Sequence, residues 1–278
     1  MAVCEVCFRH CELKEGQTGF CGARICAGGK VTAANYGRVT ALALDPIEKK
    51  PLRRFMPGSY ILSVGSYGCN LRCPFCQNHE ISWSRQAMRF ADTAELIMPD
   101  KLAAAAKRYR SRGNVGVAFT YNEPLVGYEY VRDTAKLVHG QGLKNAVVTN
   151  GTAELSVLAE IAPYIDAFNI DLKSFSADTY KNILGGDLRT VLDFITEAHR
   201  TAHVELTTLI VPGMNDTEQE MRELSSWIAS LDKDTVLHIS RFFPRFHLTD
   251  RPPTDVRLIY RLADIAREKL RYVVTGNC

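Results

Sequence analysis

Apolar and polar residues follow two different patterns along this chain, and the change comes near Gly58. Before that point, short apolar pieces lie among cysteines and glycines, whereas after it short apolar runs alternate with longer stretches of helical periodicity. Short runs rich in β-branched and aromatic residues predict strands. Six runs of this kind span residues 60–64, 115–119, 145–149, 167–170, 204–210 and 236–239. We therefore predict a Cys-rich segment over residues 1–57 and a regular domain over residues 58–278.

Helical patterns separate these strands. Pro99 begins one that ends at Gly113, and Thr217 with Glu220 resembles a capping box at the start of another. A last amphipathic pattern covers residues 254–270. Regular alternation of strand and helix predicts a parallel sheet with right-handed crossovers. The predicted fold class is therefore α/β, as an open doubly wound sheet or an incomplete barrel.

The charge balance indicates no particular partner. The chain holds 34 Lys and Arg against 31 Asp and Glu, and this net charge of +3 is too balanced to indicate a nucleic-acid or membrane surface. No apolar stretch of membrane-spanning length and no secretory signal pattern occurs, so we expect a soluble, cytoplasmic protein. One basic cluster is more typical of a solvated face than of a site for an anionic partner; it comprises Lys49, Lys50, Arg53 and Arg54.

Cysteine is concentrated near the N-terminal end. Eight of the nine cysteines fall within the first 76 residues. In a reducing compartment such crowding favours metal thiolates over disulfides. The second group, Cys69, Cys73 and Cys76, directly follows the first predicted strand, where barrel enzymes carry their chemistry. A structural zinc site normally has four ligands, whereas three thiolates leave one iron of a four-iron cluster open to a substrate.

This second group resembles the motif of the radical SAM superfamily, with the spacing Cys-x3-Cys-x2-Cys and an aromatic residue, Phe75, before the third cysteine. The resemblance implies an oxidoreductase with a partial (β/α)6 TIM-like barrel and a 4Fe-4S cluster on Cys69, Cys73 and Cys76. It further implies that S-adenosylmethionine (SAM) binds the open iron and is reductively cleaved. The resulting 5'-deoxyadenosyl radical then abstracts hydrogen from a substrate.

Polar residues follow the later strands, where they would meet such a cofactor. Asn122 and Glu123 are placed like part of the Gly-Gly-Glu-Pro segment of the pyruvate formate-lyase activating enzymes, and this resemblance assigns them to the SAM amine. Thr149 and Asn150 follow the third strand in a polar turn, which suits either a site or the start of a loop.

The remaining cofactor contacts are predicted at the fourth and sixth strands. Asp171 and Lys173 share one face of a strand end, and they resemble the Asp-x-Lys motif of the same activating enzymes. The resemblance gives Asp171 to the SAM amine and Lys173 to its carboxylate. Arg241 is the candidate for the adenosine contact that relatives make with a histidine near the position of Phe243. Phe75 completes the predicted cofactor-binding set.

The first cysteine group lies in a segment too short to bury its own core, so a bound metal would supply its folding energy. Four thiolates suit zinc or an auxiliary iron-sulfur cluster, and free thiols are a third reading. The spacing does not choose among them, and a tetrathiolate zinc site is the first expectation. The predicted ligands are Cys4, Cys7, Cys11 and Cys21.

Several further segments resemble the radical SAM proteins of the AmmeMemoRadiSam system, which are related to pyruvate formate-lyase activating enzyme. The leading expectation is therefore activation of a partner protein by glycyl-radical formation, with flavodoxin or ferredoxin as electron donor. Radical modification of a small molecule or another macromolecule is the alternative enzyme, and a zinc-bearing interaction module is the alternative from another class. The resembling segments are residues 4–24, 36–39, 45–52, 57–59 and 76–78.

Overall fold

The computed structural model of the protein describes residues 1–84 and 86–278. Its strands pair into one large sheet and several short ribbons. In chain order they are β1 (Ala2–Val3), β2 (Glu12–Leu13), β3 (Arg24–Ala27), β4 (Lys30–Ala33), β5 (Arg38–Val39), β6 (Ala41–Pro46), β7 (Tyr60–Gly65), β8 (Glu95–Leu96), β9 (Asn114–Phe119), β10 (Lys144–Thr149), β11 (Ala167–Asp171), β12 (His203–Ile210), β13 (Val236–Arg241) and β14 (Val273–Gly276).

Along the chain, the longer helices alternate with the strands of the large sheet. None of the helices within the described ranges is long and apolar enough to cross a membrane. The α-helices are α1 (His79–Ser82), α2 (Phe90–Thr93), α3 (Pro99–Arg108), α4 (Tyr128–Gly140), α5 (Leu155–Ile161), α6 (Ala177–Thr179), α7 (Leu188–Thr201), α8 (Glu218–Leu231) and α9 (Val256–Arg267). Short 3-10 turns extend the C-terminal end of α3 and precede α4.

The large sheet runs β6, β7, β9, β10, β11, β12, β13, β14 from one edge to the other. All neighbours from β7 to β14 are parallel, and successive strands of the chain lie side by side. Right-handed crossovers that always advance in one direction produce a barrel, whereas a doubly wound sheet reverses its direction. The predicted α/β partial barrel is confirmed, and the six predicted strands are its parallel core.

Two edge strands were not predicted. β6 pairs antiparallel with β7, and β14 adds a seventh parallel strand beside β13. Neither sequence reads as a strand, because Ala41–Pro46 holds two alanines and ends in proline, and Val273–Gly276 is only four residues long. The predicted boundary between residues 57 and 58 therefore falls between β6 and β7, two strands that pair in one sheet.

The core lies between the sheet and its helices, and α7 illustrates how the sequence builds it. Val191, Phe194, Ile195 and Ala198 recur at helical spacing and are completely buried. The Phe194 ring packs edge-on against that of Phe168 on β11, with 6.0 Å between centroids. Burial of each large side chain contributes about 1.5–3 kcal/mol, so this face alone anchors α7 to the sheet.

The predicted capping box at α8 forms only in part. The Thr217 hydroxyl accepts the backbone N–H of Glu220, as a capping residue should. The Glu220 carboxylate instead accepts from the Ser174 hydroxyl at 2.6 Å and from the Phe175 N–H at 2.7 Å. Glu220 thus ties the start of α8 to the loop that follows β11.

A buried carboxylate joins the N-terminal segment to the barrel. Glu205 lies on β12 and is completely buried. It contacts the Nε2 atoms of His203 at 2.9 Å and His238 at 2.6 Å, and it accepts the N–H groups of Arg53 at 2.8 Å and Arg54 at 2.7 Å. Burial opposes ionisation, but these hydrogen bonds outweigh it and lower the pKa of Glu205 from its usual 4.5 to about 2.

Replacing Glu205 by Gln should lower the free energy of unfolding by about 3 kcal/mol near neutral pH, because an amide cannot accept from all four donors of a buried site. The lowered pKa stabilises the fold above pH 4.5, and this contribution disappears as the pH falls toward 2. Denaturant titrations should show a constant difference between wild type and variant at neutral pH that shrinks in acid. Glu197→Gln on the surface is the control, and equal effects of both changes would contradict the prediction.

Candidate active site

A cavity of about 670 Å³ opens at the carboxyl edge of the sheet. Because the ends of parallel strands meet there, residues distant in the chain line it together. The structure brings ten of the eleven residues predicted for the cluster and SAM to this cavity. They are Cys69, Cys73, Phe75, Cys76, Asn122, Glu123, Thr149, Asn150, Asp171 and Lys173.

The cysteine loop follows β7 and is held against the N-terminal segment. Gly68 has a φ of 97°, and a Cβ there would lie 2.6 Å from the Cβ of Ala23 and 2.9 Å from the carbonyl oxygen of Cys21. Only glycine fits this close approach. The next residue, Cys69, donates its N–H to the same Cys21 carbonyl at 3.1 Å. The loop geometry therefore depends on contact with residues outside the strand that it follows.

Burial raises the pKa values of all three thiols of the loop. Burial raises the pKa of Cys73 to about 11, and the nearby Lys173 ammonium opposes the rise. Burial also raises the pKa of Cys69 and of Cys76. Buried thiols release their protons most readily to a bound metal, because the metal supplies the positive charge that the protein lacks.

Glu123 lines the cavity and is also engaged within the protein. Its carboxylate accepts the Thr149 hydroxyl at 2.7 Å, the Asn150 N–H at 2.7 Å and the Leu125 N–H at 3.0 Å. Burial raises its pKa to about 7, and these bonds oppose the rise. These three bonds position the ends of β9 and β10, and the contact with the SAM amine stays a prediction.

Asn122 is also engaged within the protein. Its side-chain oxygen accepts the Ser66 N–H at 3.0 Å, and its amide nitrogen donates to the Gly68 carbonyl at 3.1 Å. Both partners lie in the segment that leads to Cys69. Asn122 thus fixes the approach to the cysteine loop, and its contact with SAM stays a prediction.

Tyr121 directly precedes Asn122 and Glu123, and so stands where the Gly-Gly-Glu-Pro segment that they resemble has its first glycine. Its φ of 74° lies in the left-handed region, which costs a non-glycine residue about 1 kcal/mol or more. Its hydroxyl donates to Asp45 at 2.8 Å, and its ring lies 4.4 Å from the Lys50 ammonium. The Asn78 side chain also donates to its carbonyl at 2.7 Å. These contacts hold the strained backbone in the conformation that glycine adopts freely.

Asp171 and Lys173 form the most adaptable pair in the cavity. The Lys173 ammonium lies 2.7 Å from an Asp171 carboxylate oxygen, and both side chains line the cavity. The Asp171 charge raises the pKa of Lys173 above its usual value despite burial, so the lysine is cationic. An ammonium and a carboxylate side by side match the two charged groups of an amino acid, each of which can replace one partner of the pair.

Arg241 does not line the cavity. Its Nε–H donates to the Thr254 carbonyl at 2.7 Å, and its guanidinium lies over the Phe243 ring at 4.8 Å. The same strand instead presents Ser240 and His238 to the cavity. Side chains alternate across a strand, so Arg241 and Ser240 face opposite sides. The sequence therefore already indicated that Arg241 and Ser240 do not share a face of this strand.

The sequence also missed one wall of the cavity. Thr275, Gly276 and Asn277 line it from the end of β14, and Lys49 and Arg53 also line it. These lysine and arginine residues belong to the basic cluster that we interpreted as a solvated face. The residues predicted for a second metal, Cys4, Cys7, Cys11 and Cys21, line a separate small cavity.

The residues around the large cavity fit the cofactors that the motif implies. Three cysteines line the cavity, and His238, which also lines it, is engaged by Glu205. Three thiolates with no fourth thiol in the lining suit a four-iron cluster with one open iron. Pockets for small ligands commonly measure 300–1,000 Å³, so a cavity of about 670 Å³ accommodates an amino acid joined to a nucleoside.

Comparison with known proteins agrees with this geometry. The model of the Radical SAM superfamily matches residues 63–228. The chain belongs to the radical SAM superfamily. That membership implies an enzyme that uses a 4Fe-4S cluster and SAM.

Three relatives show how varied this superfamily is. The chain is 38% identical over 278 residues to an uncharacterized protein of Methanocaldococcus jannaschii, covering 99% of this chain and 80% of that one. It is 30% identical over 165 residues to the pyruvate formate-lyase-activating enzyme of Clostridium pasteurianum, covering 59% and 67%. It is 28% identical over 155 residues to the GTP 3',8-cyclase of Lactiplantibacillus plantarum, covering 54% and 45%.

A solved structure shares the fold. The crystal structure of Streptococcus suis SuiB bound to S-adenosylmethionine superposes with a TM-score of 0.59 at 13% identity, covering 76% of this chain and 48% of that one. At this identity the likeness concerns the fold alone. The strand topology, the family match and this solved structure therefore all support the barrel fold.

Replacing Cys73 by Ala should abolish reductive SAM cleavage and remove the iron held at the cavity, because two thiolates do not hold a four-iron cluster. The measurement is 5'-deoxyadenosine formed by anaerobically reconstituted enzyme with SAM and dithionite. Cys278→Ala is the control, since Cys278 is exposed and lies outside both cysteine groups. Undiminished cleavage by the Cys73 variant would refute the assignment of the cluster ligands.

Replacing Lys173 by Ala should raise the Kd for SAM about 10- to 100-fold, because a charge-assisted hydrogen bond contributes about 1.5–3 kcal/mol. The iron content should not change, because Lys173 is not one of the predicted cluster ligands. Equilibrium binding of SAM to the reconstituted enzyme checks this. Lys181→Ala, an exposed lysine in the turn after α6, should leave both quantities unchanged.

Proposed function

We propose that this enzyme abstracts a hydrogen atom from a glycine residue of a partner protein. The observation that carries the proposal is the 30% identity to a pyruvate formate-lyase-activating enzyme over two thirds of that enzyme's length. The pair formed by Asp171 and Lys173 supports it, because this pair follows the motif of the activating enzymes and lies in the cavity beside the cysteine loop.

The protein's own groups define how SAM would be held. Cys69, Cys73 and Cys76 would bind three irons of the cluster, Lys173 would bind the SAM carboxylate and Asp171 its ammonium. When bound, the cluster and SAM supply a single-electron cleavage that generates a 5'-deoxyadenosyl radical.

An aromatic platform at the rim suits a peptide segment as substrate. The rings of His79 and Phe246 stack with 4.1 Å between centroids, and Trp83 meets Phe246 edge-on at 4.8 Å. Trp83 lines the cavity, and His247 donates its N–H to the Pro74 carbonyl within the cysteine loop. Aromatic rings bury peptide surface at low conformational cost, so this rim would support a loop that delivers a glycine to the cavity.

The electron for SAM cleavage must come from another protein, because cluster reduction requires a low-potential donor. We propose a flavodoxin or a ferredoxin for this role. The basic residues Lys49 and Arg53 at the cavity lining would favour such an acidic partner through electrostatic steering.

A deuterium-transfer experiment tests the substrate class. Cells that carry this protein are grown with α-deuterated glycine, and their extract is separated into macromolecules and small molecules. The reconstituted enzyme receives each fraction together with SAM and dithionite under anaerobic conditions. We expect deuterium in 5'-deoxyadenosine from the macromolecular fraction, because hydrogen abstraction from a glycine Cα transfers its label.

The control for this experiment is the Cys73→Ala enzyme, which should transfer no label from either fraction. Label that comes only from the small-molecule fraction would overturn the proposal. It would favour the alternative, radical modification of a small molecule, which the similarity to a GTP 3',8-cyclase supports.

A further inference from the structure

The turn that follows β9 is tied to both ends of the cysteine loop. Residues 120–123 form this turn, and all of them line the large cavity. The Tyr121 carbonyl accepts at 2.7 Å from the side chain of Asn78, which lies just beyond the last cysteine of the loop. The Glu123 N–H donates at 3.3 Å to the carbonyl of Gly68, which directly precedes the first cysteine. The backbone of the turn therefore forms one unit with the loop that carries the predicted cluster ligands.

The shape of the turn depends on an unfavourable backbone conformation at Tyr121. Its φ of 74° lies in the left-handed region. The Cβ of an ordinary residue makes this region roughly 5- to 30-fold less populated, whereas glycine adopts it freely. A tyrosine at this position therefore needs contacts elsewhere that keep the turn in its observed shape.

The Tyr121 side chain is anchored at its hydroxyl and at the face of its ring. The hydroxyl donates to Oδ2 of Asp45 at 2.8 Å, and the Lys50 ammonium lies 2.9 Å from the same oxygen. The ammonium also lies 4.4 Å from the centre of the ring. At the end of β7, a Cβ on Gly65 would lie 2.8 Å from the ring carbon Cδ2, so the ring packs directly against the strand backbone. A charge-assisted hydrogen bond and a cation over the ring both resist displacement of this side chain.

Lys50 is a buried cation. Its side chain is only 4% exposed, so it does not belong to the solvated basic face that we predicted. Burial lowers the pKa of Lys50, and the Asp45 carboxylate opposes this effect. Burial also disfavours the Asp45 carboxylate, but hydrogen bonds from Lys50 and Tyr121 outweigh it and lower the pKa of Asp45 to about 2. Because apolar residues of similar size often stabilise a protein at least as well as a buried ion pair, this pair points to a geometric role.

From these contacts we infer that Asp45 and Lys50 are positioning residues for SAM binding. They hold the Tyr121 side chain, and this side chain keeps the turn in the left-handed conformation that shapes the cavity. Neither residue belongs to the described lining of the cavity, so both act through Tyr121. Both also lie outside residues 63–228, the part of the chain that the family model matches. The inference concerns the cofactor, so it does not depend on which substrate loses a hydrogen atom.

A pair of variants tests whether the left-handed turn governs SAM binding. Tyr121→Ala and Tyr121→Gly both remove the ring, but only alanine keeps the Cβ that disfavours a positive φ. The Kd for SAM is measured by equilibrium binding to the anaerobically reconstituted protein, and the iron content of each variant is determined alongside. We expect Tyr121→Ala to bind SAM about 5- to 30-fold more weakly than Tyr121→Gly. Equal Kd values, or weaker binding by the glycine variant, would overturn the inference.

Lys50→Met, measured in two backgrounds, tests whether the lysine acts through the ring. With Tyr121 present, the change removes the charge at similar volume and should raise the Kd for SAM about 5- to 30-fold. In the Tyr121→Gly background the same change should alter the Kd by less than about twofold, because no ring remains to be held. An equal rise in both backgrounds would overturn the inference, since it would show that Lys50 acts on SAM or on the whole fold without Tyr121.

Two further variants complete the experiment. Lys136→Met is the control, because Lys136 is exposed on α4, and it should leave the Kd unchanged in both backgrounds. Denaturant unfolding shows whether each protein is folded. If Lys50→Met does not fold, Tyr121→Phe replaces it, because that change removes only the hydroxyl that binds Asp45 and leaves the ion pair intact. Tyr121→Phe should raise the Kd about 2- to 10-fold, and an unchanged Kd would contradict the proposed anchor.

Discussion

The buried carboxylate of Glu123 holds together the edge of the barrel where the chemistry takes place. It joins the turn after β9 to the end of β10 through Thr149 and the Asn150 backbone. Asn150 then reaches Asn70 and the sulfur of Cys69. A charged group in this environment is stable only while its donors remain in place, so the position of the cysteine loop and the ends of both strands are coupled.

The site combines groups that are fixed with groups that are free to exchange partners. Asn122 and Glu123 are satisfied by hydrogen bonds within the protein, so they set the geometry of the loop. Asp171 and Lys173 neutralise each other and present their charges to the cavity. An amino acid ligand can take over both charges without leaving either side chain unpaired. Asn122 and Glu123 therefore hold the loop in place, whereas Asp171 and Lys173 offer their charges to a ligand.

Both cysteine groups depend on the junction between the N-terminal segment and the barrel. The Cys21 carbonyl accepts from Cys69, and Gly68 approaches so closely that no side chain fits between them. At the end of the segment, Glu205 on β12 accepts from the backbone N–H groups of Arg53 and Arg54. The segment is thus a structural part of the barrel, and a division by composition alone does not describe it.

The sequence by itself determined the six parallel strands, the cysteine triad and the Asp171–Lys173 pair, because these depend on local spacing and on the rule that parallel strand ends meet. Through the crowding of cysteines it also indicated Cys4, Cys7, Cys11 and Cys21 as candidate metal ligands. Only the tertiary structure decided that Glu123 and Asn122 are engaged internally, that Arg241 faces away while Ser240 faces the cavity, and that Cys26 does not line the small cavity with those four cysteines. The physical reason is that a motif specifies which groups are present, whereas hydrogen bonds between distant segments decide which of those groups remain free.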